Sequence, residues 1–195
     1  PYTSYVNCMK NDMGGGALAF HIFKYLIEQE VAFGVDLLIP CCENSVDEKA
    51  MKPGSIITSH SGHEVFIDHT DAEGRLILAD AISYAEKRLA AVNSYTMATL
   101  TTAALQQFGN FLTPTYFLSK EQKYALDGLA AVHGEEFTHY NFQRWYDVAN
   151  QHTTGVRTNR GNLRGAAAVG GRSNVAAHFL KFFAKNKLAH FDIFN

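Results

Sequence analysis

At 195 residues, of which 47% are hydrophobic and 18% charged, the chain is long enough to bury a core of its own. A net charge of -2 gives no electrostatic case for binding nucleic acid, and no apolar run approaches the ~20 residues a membrane helix needs. Three cysteines, Cys8, Cys41 and Cys42, do not make a framework of pairs; the adjacent Cys41 and Cys42 end an apolar run and are expected as buried thiols in a reducing, cytoplasmic setting.

In chain order, Asp12-Met13-Gly14-Gly15-Gly16 leads into a helix over Leu18 to Glu30, where Leu18, Ile22, Tyr25 and Leu26 recur at helical spacing. The glycines leave bare backbone at the helix start, which suits either an anion or tightly packed site or a plain turn. Val35 to Pro40 reads as a buried strand. His60 and His63 make an H-x-x-H ahead of an edge-like strand, a poor candidate for metal. Val65-Phe66-Ile67 reads as a buried strand, and Leu76 to Leu89 as an amphipathic helix with Leu76, Ala79, Ile82, Ala85 and Leu89 on one face. A strand is expected from Asn93 to Leu100, and helices from Glu121 to Val132 and from Asn174 to Ala184. Arg157 to Arg172, rich in arginine and glycine, is expected as a basic loop or an anion or partner contact. This alternation of strands and amphipathic helices points to an α/β fold, and no linker divides the chain.

The chemistry concentrates in Thr70-Asp71-Ala72-Glu73-Gly74-Arg75-Leu76. In an extended backbone, Asp71, Glu73 and Arg75 would project from one face. Two close carboxylates repel unless a cation sits between them, and hard divalent ions and zinc both accept carboxylate oxygens. The alternative is a surface turn of solvated charges. The apolar flanks on both sides favour a charged knot set between core elements.

T-D-A-E-G-R-L followed by L-A-D-A and Y-A resembles the signature of the leucyl aminopeptidase (cytosol aminopeptidase) family. Further segments extend the likeness: M-K-x-D-M-G-G at Met9 to Gly15, C-E-N-S at Cys42 to Ser45, K-P-G-S at Lys52 to Ser55, A-T-L-T at Ala98 to Thr101, and H-F-D-I at His190 to Ile193. It is weakest from Thr138 to Asn162. The resemblance implies an α/β fold with a mixed, mainly parallel central sheet between helices. It also implies a peptidase that removes leucine-like residues from the free N-terminus of peptides with two divalent ions, Zn2+ and/or Mn2+.

On that resemblance Asp12, Asp71 and Glu73 match metal-binding carboxylates. Arg75 matches the catalytic arginine, which holds a bicarbonate ion or steadies the oxyanion. Met9, Thr99 and Leu100 match positions lining the substrate site, and Thr102 stands where glycine is usual, reshaping that wall. His69 replaces a usual asparagine. The family's metal-binding lysine, a further aspartate and a catalytic lysine lie upstream of D-M-G-G and have no counterpart here. The chain is therefore expected to be the C-terminal catalytic portion of a longer or cleaved protein. The N-terminal portion would complete the site, within a hexamer or hetero-assembly. A catalytically inactive homologue serving as a structural or interaction subunit is the competing expectation.

Overall fold

The computed structural model describes residues 9–43, 47–160 and 171–194. A short 3-10 turn, Met9–Asn11, precedes helix α1, Gly14–Glu28. Then follow strand β1 (Ile56–Thr58), strand β2 (Glu64–Phe66), helix α2 (Gly74–Arg88), strand β3 (Asn93–Ala98) and helix α3 (Thr102–Phe108). Strand β4 (Thr113–Tyr116), helix α4 (Lys120–His133), strand β5 (Phe137–Tyr140), helix α5 (Arg144–Ala149), strand β6 (Arg157–Thr158), helix α6 (Arg172–Phe183) and strand β7 (Lys187–Asp192) complete the order.

The fold is mixed α/β, with its strands divided between two sheets rather than gathered in one. A three-stranded sheet runs β1-β2-β6 and a four-stranded sheet runs β3-β7-β4-β5. The pairs β2/β6, β3/β7 and β4/β5 are parallel; β1/β2 and β4/β7 are antiparallel. Parallel pairing therefore predominates, as the sequence pattern leads one to expect of strands separated by helices.

The core lies where α2 and α6 meet. Val65, Ile67, Ala79, Ile82, Phe179, Leu180, Phe183 and Leu188 form one buried cluster, with Leu76 and Leu100 packed against it. Each large side chain withdrawn there contributes roughly 1.5–3 kcal/mol relative to exposure. Helix α6 is buried along nearly its whole length, Ser173 to Leu180 without a break, so it is the central element of the domain. Helix α4 starts with a capping box in which Ser119 Oγ accepts from Gln122 N–H and Gln122 Oε1 accepts from Ser119 N–H. It ends at left-handed Gly134.

Two expectations fail here. Val35 to Pro40 forms no strand, and Asp36, Leu38 and Ile39 are exposed. The apolar pattern is right for a buried strand, but no described strand runs beside it to take its backbone hydrogen bonds. Cys41 and Cys42, at the end of that segment, are accordingly exposed free thiols rather than buried ones. Cys8, Asn44 and Ser45, and Gly161 to Gly170 of the basic stretch, lie outside the described residues.

Candidate active site

The acidic signature does not run extended. Asp71 lies in a turn, Glu73 is the N-cap residue of α2 with φ -80° and ψ -34°, and Arg75 is in the helix's first turn. Successive helical residues are rotated by about 100°. Arg75 therefore points away from Glu73 instead of beside it: Asp71 and Glu73 are exposed, while Arg75 is 7% exposed. The expectation of one shared face is corrected on this point. Glu73 keeps a favourable place all the same, because a carboxylate at a helix N-terminus meets the positive end of the macrodipole.

Two acidic segments converge on the carboxyl end of β3. From one side, Asp12 Oδ1 accepts a 2.6 Å hydrogen bond from Thr99 Oγ1. The approach depends on Gly15, since a Cβ there would run into the carbonyl of Met97 and the Cα of Ala98. From the other side, the start of α2 abuts Leu100: a Cβ on Gly74 would sit 3.1 Å from Leu100 Cδ1. The segment Thr99–Leu100 thus touches both the D-M-G-G and the D-A-E-G-R elements. Met9 is half exposed on the 3-10 turn beside Asp12, and Thr102 is exposed at the first position of α3.

Beneath this strand end lies Asp192, fully buried. Its Oδ1 accepts from the backbone N–H of Leu100 (3.1 Å) and of Thr101 (3.2 Å), and its Oδ2 from Thr101 Oγ1 and Ser173 Oγ, both at 2.6 Å. Tyr116 O–H in turn donates to Ser173 Oγ at 2.7 Å. Burial pushes the Tyr116 phenol up, which keeps it a donor. Burial pulls the Arg75 guanidinium down to about 10, while Asp192 and Glu73 oppose that shift. Arg75 therefore stays cationic near neutrality, a buried charge within electrostatic reach of Asp192 and Glu73. Its Nε is buried with no hydrogen-bond partner among the described residues.

As for metal, Asp12, Asp71 and Glu73 carry oxygen donors of the right hardness and no salt bridge among the described residues. Yet among the described residues no three His, Cys, Asp or Glu side chains group closely enough to hold an ion. The donors fit in kind but are not drawn into one ligand group. His60 and His63 are engaged elsewhere: His60 Nδ1 pairs with Ser83 Oγ at 3.0 Å, and the His63 ring packs on Phe182.

Residues 2–195 match the model of the cytosol aminopeptidase family, catalytic domain. The chain belongs to that family. A probable cytosol aminopeptidase of Acidovorax sp. (strain JS42) is 37% identical over 187 residues, covering 95% of this chain and 36% of the relative. A probable cytosol aminopeptidase of Chromobacterium violaceum is 38% identical over 188 residues, covering 95% and 34%. Among solved structures, a tomato leucine aminopeptidase mutant superposes with a TM-score of 0.76 at 28% identity, covering 96% of this chain and 36% of that one. The chain thus spans about a third of the length of the relatives it matches. Among the described residues no helix is long and apolar enough to cross a membrane.

Sequence reasoning missed Thr101, Asn159, Ser173 and Asp192. The H-F-D-I segment carries a usable signal for the last: His190 and Asp192 are two apart on a strand and share its buried side. Asn159 gives none, since it falls in the stretch where the family likeness is weakest.

Proposed function

We propose that this chain is the C-terminal catalytic portion of a metal-dependent aminopeptidase that releases N-terminal, leucine-like residues from peptides in the cytoplasm. The observation that carries the reading is the convergence on Thr99–Leu100, which Asp12 meets from one side and the turn bearing Asp71 and Glu73 from the other. Asp12, Asp71 and Glu73 would hold divalent ions, Zn2+ and/or Mn2+. Such ions, when bound, activate water and polarise the scissile carbonyl.

The chain's own groups do the rest. Arg75, cationic and desolvated, supplies charge where an oxyanion or a resident bicarbonate would be held. Asp192 fixes the Leu100–Thr101 backbone against which a peptide would be oriented. Met9 and Thr102 edge the same region. The partial donor set, and the unpaired apolar segment Val35–Pro40, support a partner segment from the rest of the relatives' length, in a hexamer or hetero-assembly.

The incomplete grouping of ligands also favours a second reading, an inactive homologue used as a structural subunit. One assay separates them: the assembled protein, supplied with Mn2+ or Zn2+, should release leucine from leucyl amide. Asp71→Asn should lower kcat/KM by more than the roughly 10–100-fold typical of losing an outer-shell partner, while the fold is kept. No bound metal and no leucine released would remove the enzyme reading.

A further inference from the structure

We propose that Asn159 is a positioning residue for the acidic turn: its side-chain amide straps the backbone from Asp68 to Ala72 and so sets where Asp71 and Glu73 project. The strap stands on geometry; its catalytic consequence rests on the aminopeptidase reading above.

Asn159 follows β6, whose parallel pairing with β2 sets Thr158 opposite Phe66, and its own N–H donates to Phe66 O at 3.2 Å. The side chain is fully buried. Its Oδ1 accepts from Asp68 N–H at 2.9 Å and from His69 N–H at 3.3 Å. Its Nδ2 donates to His69 O at 2.6 Å and to Ala72 O at 3.2 Å. A carboxamide has two donor hydrogens and two acceptor lone pairs, and all four are used. The amide's orientation follows from those partners, since a flip would set oxygen against two carbonyls.

The anchored groups bracket Asp71. His69 is held at both its N–H and its carbonyl, Ala72 at its carbonyl, and Asp71 N–H donates to His69 Nδ1 at 3.1 Å within the bracket. Glu73 follows directly as the N-cap of α2. The element that fixes the acidic turn therefore lies some 90 residues away in sequence. No other side chain of this size offers the set. Aspartate would present an oxygen to the His69 and Ala72 carbonyls, leucine would leave the Asp68 and His69 N–H groups unmet, and glutamine would add a methylene to a fully buried side chain.

The test uses the assembled, Mn2+-loaded protein and the variants Asn159→Ala, Asn159→Asp and the milder Asn159→Ser. Amide hydrogen exchange over 68–73 should speed up about 10-fold or more in each, with that of 173–183 unchanged. Mn2+ affinity and kcat for a leucyl substrate should fall about 10–100-fold with KM within threefold, and Asn159→Asp should not rescue. Unchanged exchange over 68–73 overturns the strap, and faster exchange with wild-type Mn2+ affinity and kcat overturns the positioning role. Should the alanine and aspartate variants fail to fold, the serine variant and the wild-type amides of Asp68 and His69 decide, because rapid exchange of those two amides in the wild type is equally fatal. A wild type that neither binds Mn2+ nor releases leucine sinks the aminopeptidase reading, while the exchange result still judges the strap.

Discussion

Helix α1 is more apolar in sequence than helix α6, yet α6 with strand β7 is buried and α1 with the segment after it is exposed. Phe179, Leu180 and Leu188 are buried, and the polar groups among them, Asp192, Ser173 and Tyr116, are joined in one hydrogen-bonded chain. On α1, Phe20, Tyr25 and Ile27 are between 49% and 59% exposed, and Phe33 beyond it is 64% exposed. A hollow of about 180 Å3 opens there between Leu26, Ile27, Phe33 and Val35. Exposed apolar surface, where it is contiguous, is often covered by another segment or chain in proteins generally. The comparison teaches that hydrophobic pattern fixes which face seeks burial, and that burial itself needs a covering element.

Mutation should separate the two regions. The largest effect is expected at Asp192→Ala, which strands four donors, three of them buried, and removes one of the two carboxylates that favour the Arg75 charge. A loss of at least about 3 kcal/mol is expected, read by chemical denaturation, together with loss of activity. A change under 1 kcal/mol would show that the network is ornamental. Phe179→Ala should follow, at about 3–5 kcal/mol for a cavity in the closed core. The third test is pH. Burial holds His190 well below its ordinary value, against the opposing effects of Asp192 and of its hydrogen bond with Thr96. The folded state thus binds this proton less readily than the unfolded chain does. Stability from this source is complete above about pH 6.5, the ordinary histidine value, and declines as pH falls below it. The melting temperature should drop through that window and do so less in His190→Gln. The smallest effect belongs to the other region: Tyr25→Ser with Ile27→Ser should change the stability of this chain by no more than about 0.5 kcal/mol per site. The same pair should weaken assembly with any covering segment, measured by sedimentation. A large destabilisation of the isolated chain would erase the contrast between the regions.

Much of the fold is readable from local pattern. The periodicity of Leu76 to Leu89 yields α2, observed as Gly74–Arg88, and Val65 and Ile67 are buried as their flanking pattern suggests. Val35 to Pro40 misleads because a strand is a property of two segments, and its apolar residues speak for only one. The site is legible by motif and illegible in conformation. D-A-E-G-R reads as alternating side chains only if the backbone is extended; Asn159, far along the chain, holds it in a turn instead, and no local rule connects the two. Likewise the motif singles out Thr99 and Leu100, whereas the carboxylate that holds the Leu100–Thr101 backbone comes from the last strand.

The bare Cα of Gly15 carries a consequence of its own. Helix α1 lies against β3 too closely to admit even a Cβ at Gly15, so the gap across which Asp12 reaches Thr99 tolerates no added side chain there. Adjustment of that gap is one-directional: any added atom retracts Asp12, and none brings it nearer. Fine tuning of this corner is left to the opposite wall, where Gly74 faces the movable tip of Leu100.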